Sequence, residues 1–298
     1  DADSLPEELN SLRDVIRWAT TQFSQATLYY GHGTDNALDE ASQLVFETLA
    51  IPAGAEQSVM DASLTGAEKK QLHQLIRRRI EERIPLPYLT GVAWFAGLSF
   101  QVNQHVLIPR SPIAELVGQG FEPWLAGRQP DNILDLCTGG GCIGIACAHY
   151  FEEAEIDLAD ISSEALAVAQ ENILRYELEG RVKCRQSDLF DSLQGKRYDL
   201  IVSNPPYVDR EDIASMPPEF RHEPSLALAS GDDGLDITRT LLREAADHLN
   251  EAGVLVVEVG NSGIALEQAF PEVAFTWLEF ERGGHGVFVF TRSELQHY

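Results

Sequence analysis

Apolar residues recur at intervals of three and four along the first part of the chain, with Leu5, Leu9, Leu12, Ile16, Ala19 and Phe23 falling on one helical face. Ser4 and Glu7 stand ahead of that run at capping-box spacing, and Thr65 with Glu68 repeats the signal before Leu72, Ile76 and Ile80. The spacing predicts a helical bundle over residues 4–83. Pro85 and Pro87 then end the last helix, because proline lacks the N–H that the next turn needs. From Phe95 to Ile108 the period falls to two, which predicts a hairpin turning near Asn103-Gln104.

From about residue 112 short apolar runs alternate with helical ones: Ile133–Leu136, Ile156–Ala159, Val182–Arg185, Leu200–Val202 and Val254–Val259. Strands separated in this way by helices predict an α/β domain with a parallel sheet covered on both faces. The last two runs, Phe275–Glu281 and Val287–Thr291, flank Gly283-Gly284, whose freedom at positive φ suits a tight turn. The sheet is therefore expected to finish with an antiparallel strand. Three regions follow: a helical bundle over 1–90, a β-hairpin linker over 91–111 and an α/β domain over 112–298.

Composition narrows the partners. Of 298 residues 44% are hydrophobic, enough for a large core, and 47 acidic against 22 basic side chains give a net charge of −25. Binding to a phosphate backbone is driven by Lys and Arg displacing counterions, so DNA is not an expected partner and a basic protein is. The run Arg77-Arg78-Arg79 goes against this balance, and a solvated helix face is the expected explanation. Residues 1–8 carry no basic segment followed by an apolar one, and nothing approaches the roughly 20 apolar residues of a membrane span. The expectation is a soluble cytoplasmic protein with no membrane partner. Cys137, Cys142, Cys147 and Cys184 lack paired CxxC spacing, so they are expected to be small buried residues, with no metal site.

Two motifs carry chemistry. Strand Ile133–Leu136 runs through Asp135 into Cys137-Thr138-Gly139-Gly140-Gly141 and a helix beginning near Cys142, with Asp160 at the end of the next strand. Gly139, Gly141 and Gly144 match GxGxxG, and an acid at the position of Asp160 accepts from ribose hydroxyls of an adenosine cofactor. Asp188, after the third strand, is placed to accept from an adenine amino group, with Leu189 or Phe190 over the ring. The second motif, Asn204-Pro205-Pro206-Tyr207, follows the run Tyr198–Val202. A side-chain amide and a carbonyl held by a following proline are two acceptors for the hydrogens of a planar NH2 group.

Taken together, Asp135 to Gly141, Asp160, Asp188 and Asn204 to Tyr207 resemble the class I S-adenosylmethionine-dependent methyltransferases that act on amino groups. The helical N-terminal region, Val106 to Arg110 and the stretch from His222-Glu223-Pro224 to Gly234-Leu235 resemble, more narrowly, the protein glutamine-N5 methyltransferases. Within that family Ser111-Pro112-Ile113-Ala114-Glu115, Trp94 to Gly97, Glu258 to Ser262 and Phe280 to Gly284 are similar to the branch acting on ribosomal protein L-three of the large subunit. The branch acting on release factors usually has Pro-Glu-Thr-Glu after its arginine. Cys137 departs from the usual first glycine of the loop, as this branch often does.

The resemblance implies a Rossmann-like, seven-stranded, mostly parallel sheet with an antiparallel last strand, joined to a small helical domain that selects the substrate. It also implies S-adenosylmethionine held by Asp135, Cys137, Thr138, Gly139, Gly140, Gly141, Asp160, Asp188, Leu189 and Asn204, with S-adenosylhomocysteine as product. Asn204 and the Pro205 carbonyl would each accept one glutamine amide hydrogen, Pro206 would fix that carbonyl, and Tyr207 would lie against the amide. His222 is left without a chemical role. A release factor methyltransferase is the alternative within the family. A nucleic-acid amino-methyltransferase would need a basic groove, a nicotinamide oxidoreductase leaves the tetrapeptide unexplained, and a non-catalytic scaffold leaves the acids unexplained.

Overall fold

The computed structural model describes residues 4–297. The chain divides into two compact units: residues through Ala93 together with Pro217–His222, and Trp94–Met216 together with the chain from Glu223 onward. A linear division of the sequence does not contain the short segment that joins the first unit from far downstream.

The first unit consists of α1 (Leu12–Gln25), α2 (Ala37–Thr48), the single turn α3 (Glu56–Val59), α4 (Gly66–Glu81) and α5 (Leu86–Thr90), with Pro217–His222 added. The first helix starts later than the periodicity predicts. The Asp14 carboxylate takes the backbone N–H groups of Asn10 (3.1 Å) and Ser11 (2.9 Å), which a helix running through from Ser4 would use internally. The capping box is accordingly Ser11 with Asp14, and Leu5 and Leu9 are buried without being helical. The box of Thr65 and Glu68 opens α4 as expected. Phe23, Leu44, Leu72 and Ile76 form the centre of the core.

The arginine run is split by helical geometry, since each successive residue turns about 100° around the axis. Arg77 and Arg78 lie on solvent and pair with Glu81 and Glu82 one turn on. Arg79 does not share that face: only 1% of its side chain is exposed. It bonds the Glu40 carboxylate, the Tyr29 carbonyl (2.8 Å) and Glu219 (3.3 Å), while Glu219 also accepts from Arg83 (3.4 Å) and the Tyr29 N–H (3.0 Å).

A hairpin of β1 (Val92–Phe95) and β2 (Leu98–Gln101) follows. It turns at Ala96-Gly97, with φ of 49° and 80°, and not at Asn103-Gln104. Two adjacent positive φ angles match the twist of a two-residue hairpin, and Gly97 supplies one at no steric cost. Asn103 makes a separate tight turn, its carbonyl accepting from Val106 N–H at 3.1 Å.

The remainder is layered. The elements are α6 (Ile113–Gly118), β3 (Asn132–Leu136), α7 (Cys142–Tyr150), β4 (Glu155–Asp160), α8 (Ser163–Arg175), β5 (Val182–Gln186), β6 (Tyr198–Ser203), α9 (Arg210–Ser215), α10 (Asp236–Glu244), β7 (Leu249–Glu258), α11 (Gly263–Ala269), β8 (Thr276–Trp277), β9 (Val287–Thr291) and α12 (Arg292–Leu295). Strand order is β5-β4-β3-β6-β7-β9-β8, parallel from β5 to β7, with β9 antiparallel to both of its neighbours. Successive strand residues point to opposite faces, so Ile133 and Leu134 enter two different cores. The predicted final hairpin is looser than a tight turn. Its first strand shrinks to Thr276–Trp277, and Gly284, at φ 101°, instead serves a close approach in which a Cβ would lie 2.7 Å from Pro112.

The strand order reverses between β3 and β6, and a cleft opens outside the carboxyl ends of strands at such a point.

Candidate active site

At the end of β3 the chain enters its glycine loop in unusual conformations. Cys137 (φ 61°), Gly139 (55°) and Gly141 (83°) are all left-handed, a region where only glycine sits without strain. Gly144, in the first turn of α7, is required by proximity: a Cβ would lie 2.2 Å from the Leu158 side chain and 3.0 Å from the Asp135 Cβ. Asp135 lies behind this loop. Its Oδ2 accepts from the Thr138 hydroxyl (2.6 Å) and the Gly144 N–H (2.8 Å), while its buried Oδ1 has no partner among the described residues. Burial pushes its carboxyl up to about 7 despite those two bonds.

Asp160 ties the loop to β4. One carboxylate oxygen accepts from the Gly139 N–H (2.8 Å) and the other from the Ser162 N–H (3.0 Å). Burial raises its pKa against these bonds. A carboxylate offers about four lone-pair sites, so capacity remains for ribose hydroxyls. Asp188 is exposed after β5, and Leu189 follows at φ 46°. Phe190 is not available to cover a ring: it is fully buried and stacked on His248, centroids 4.5 Å apart. Leu189 alone stays in reach, because the chain turns Phe190 into the core.

A cleft of about 310 Å³ connects these groups. Cys137, Thr138, Gly139 and Gly140 line it, joined by Asp160, Asp188 and Leu189 on one side and by Asn204 and Pro206 on the other. Asp135, Gly141, Pro205 and Tyr207 are not in its wall. Residues that the motifs did not single out for binding also line it, notably Pro109, Leu226 and Ile237. The four cysteines are free thiols, Cys142 and Cys147 buried and the other two half-buried, and burial pushes the Cys137 thiol well above its ordinary range.

Asn204 follows β6, and its side-chain Oδ1 is buried with no hydrogen-bond partner among the described residues. Behind it, Tyr207 is held from several sides. Its hydroxyl donates to Glu258 (3.0 Å), and its carbonyl accepts from the Ser262 hydroxyl (2.6 Å). Glu258 also accepts from the Ser111 hydroxyl at 2.5 Å, and burial raises its pKa. Gly260 (φ 48°) leaves room for the ring, since a Cβ there would lie 2.6 Å from Tyr207 Cε2. Arg110, at the cleft, grips Glu223 with two bonds of 2.5 and 2.8 Å. Glu258 was legible in principle, as an acid closing the apolar run Val254–Val257 just as Asp160 closes β4. His222 contacts the Glu82 carbonyl at 2.8 Å, a structural contact within the first unit.

A parallel sheet of this order with one reversed strand, a glycine loop after its central strand and acids after the next two is the architecture of the class I S-adenosylmethionine-dependent methyltransferases. Residues 123–281 match the family described as Methyltransferase small domain. The ribosomal protein uL3 glutamine methyltransferase of Francisella tularensis is 47% identical over 97% of this chain and 93% of its own length. The protein of the same name from Xanthomonas campestris is 49% identical, over 97% and 94%. The chain belongs to this family of methyltransferases. Among solved structures, the hMettl16 catalytic domain in complex with MAT2A 3'UTR hairpin 6 aligns with a TM-score of 0.52, over 76% of this chain and 81% of that one, at 14% identity, a likeness of fold alone.

Proposed function

We propose that this chain transfers a methyl group from S-adenosylmethionine to the side-chain amide nitrogen of a glutamine in ribosomal protein uL3. The observation that carries the reading is the buried, unpartnered Oδ1 of Asn204 beside a cleft that also holds Gly139, Asp160 and Asp188. A buried acceptor without a donor is unfavourable by about 1–3 kcal/mol, and a substrate NH2 group supplies the donor. The relatives' names and the excess of acidic residues support a basic ribosomal protein as the substrate.

The residues present fit the cofactor. Asp160 keeps acceptor sites for ribose, Asp188 is open to an amino group, and the left-handed loop at Gly139 has open space where a Cβ would stand. When bound, S-adenosylmethionine supplies an electrophilic sulfonium methyl and leaves as S-adenosylhomocysteine. An amide nitrogen is a weak nucleophile because its lone pair is delocalised into the carbonyl. Asn204 and the Pro205 carbonyl act by orientation, accepting the two amide hydrogens so that the nitrogen faces the donor. Such placement is worth up to about 7–11 kcal/mol when the reacting atoms are aligned. Tyr207 works from behind as a brace: its bond to Glu258 and the packing against Gly260 fix the chain that carries Asn204. The helical unit selects the substrate in this reading.

The test is methylation of purified uL3 with labelled cofactor, the modified residue being located by mass spectrometry. Asn204→Ala is expected to retain cofactor affinity by calorimetry while losing most turnover. Near wild-type turnover in that variant, or methyl on a residue other than glutamine, overturns the proposal.

A further inference from the structure

Near the opposite ends of the strands from the methyl-transfer cleft, a second concavity of about 250 Å³ gathers Arg181, Lys183, Arg185, Lys196 and Arg197. Five of the chain's 22 basic residues thus surround one hollow in a protein of net charge −25. The acidic groups in its wall are Glu155 and Asp157. The surplus is therefore three positive charges, against the sign of the whole molecule.

The placement follows from strand register. β5 is the edge strand, and Lys183 sits opposite Asp157 of β4, with Arg185 two residues on along the same face. The preceding Val182 and the intervening, partly buried Cys184 turn to the other face. Asp157 is spoken for: it accepts from Arg185 Nε (2.9 Å), Lys196 Nζ (2.6 Å) and the Tyr198 hydroxyl (2.9 Å). Burial alone would raise its pKa, but these bonds hold it below the ordinary range. A buried carboxylate of this kind accounts for two cations at most. Among the described residues, Lys183, with its side chain 47% exposed, has only Glu155 at 3.9 Å as an ion-pair partner. Arg185, which lines the hollow, engages Asp157 through Nε, and Arg197 uses one terminal nitrogen on the Leu249 carbonyl. Edge-strand lysines alone would serve to block strand pairing, but that role needs no arginine from β6's approach and no concave shape.

We propose that this hollow is a phosphate-binding site, distinct from the methyl-transfer cleft. Arg181 is committed to the Ala148, Phe151 and Ala154 carbonyls, so the donors are the remaining guanidinium nitrogens of Arg185 and Arg197 beside the Lys183 ammonium, the combination that grips the oxygens of a phosphate ester. The net charge of the protein opposes a long nucleic-acid footprint, so the site holds one or two phosphate groups. They come either from a small polyphosphate or from a single exposed turn of RNA backbone.

Titration with inorganic pyrophosphate, followed by ³¹P line broadening and calorimetry, tests the site, with a 12-nucleotide single-stranded RNA as the second arm. Saturable pyrophosphate binding is expected, weakened about tenfold or more in Lys183→Glu and in Arg197→Gln, with methyl transfer unchanged in both. Arg77→Glu, far away in sequence on the helical unit, is expected to bind as wild type. RNA binding that pyrophosphate displaces, with a salt slope of about −0.7 per phosphate held, assigns the site to RNA backbone. Pyrophosphate binding without RNA binding assigns it to a small ligand. No binding of either probe, or binding unaffected by both substitutions, overturns the proposal.

Discussion

Replacing Gly260 by alanine tests the brace behind the methyl-transfer site. The added Cβ would stand 2.6 Å from Tyr207 Cε2 and 2.9 Å from Cζ, where ordinary contact begins at 3.4 Å, so the ring must retreat by about 0.8 Å. Alanine at φ 48° also carries the left-handed penalty of about 1–2 kcal/mol. Retreat of the ring loosens the 3.0 Å bond from its hydroxyl to the buried Glu258, worth a further 1–2 kcal/mol or so. We expect a loss of about 2–4 kcal/mol and a fall in Tm of roughly 5–15 °C. Turnover should fall with it, because Asn204 lies three residues before the displaced ring. Denaturant unfolding of Gly260→Ala, Tyr207→Ala and the double variant resolves the cause. If the ring contact is the source, the double variant is less destabilised than the two single losses together, by about 1–2 kcal/mol. Strict additivity, or a Gly260→Ala protein with wild-type stability and turnover, refutes the brace.

Asp160→Ala removes both the tie to the glycine loop and the ribose acceptor, so cofactor affinity by calorimetry should fall about tenfold or more; unchanged affinity removes Asp160 from the site. Asp135 gives a pH signature: its folded pKa, about 7, lies above the ordinary 3.8. Its contribution to stability is therefore full below about 3.8 and is lost as pH rises toward 7, and Asp135→Asn should flatten that slope in urea unfolding of the cofactor-free protein. Arg79→Ala leaves Glu40 buried without its guanidinium and Glu219 with Arg83 alone, with an expected loss of about 3–5 kcal/mol by urea unfolding. A loss below about 1 kcal/mol would show that water or relaxation replaces the arginine.

The strands were the readable part of this chain. Runs such as Ile133–Leu136 and Val254–Val259 are apolar on both sides because β3 and β7 are covered on both faces, so period and length identified them directly. Turns were harder. Ala96-Gly97 carries a weaker turn signature than Asn103-Gln104, and only the φ angles reveal which one reverses the chain. The first helix starts later than its apolar stripe for a related reason: the stripe continues through non-helical residues, and Asp14 decides where hydrogen bonding begins. Arg79 illustrates a third limit, since its burial depends on Glu40 and Glu219, which lie 39 and 140 residues away in sequence. In the candidate site, the glycine loop and strand-end acids were visible as local motifs. The support of Tyr207 by Glu258, Ser111 and Gly260 joins residues from three separate stretches and has no local signature.

The segment Pro217–His222 also sets an order of events during synthesis. The helices of the first unit emerge early, but Arg79 and Arg83 wait for Glu219, which is made 126 residues after the unit's own last N-terminal residue, Ala93. At about 5–20 residues per second this is a delay of roughly 6–25 s, during which β3 to β6 leave the ribosome. The N-terminal unit is thus completed by the chain that follows it. It cannot be expressed or transplanted as an N-terminal fragment without leaving Arg79 one carboxylate short.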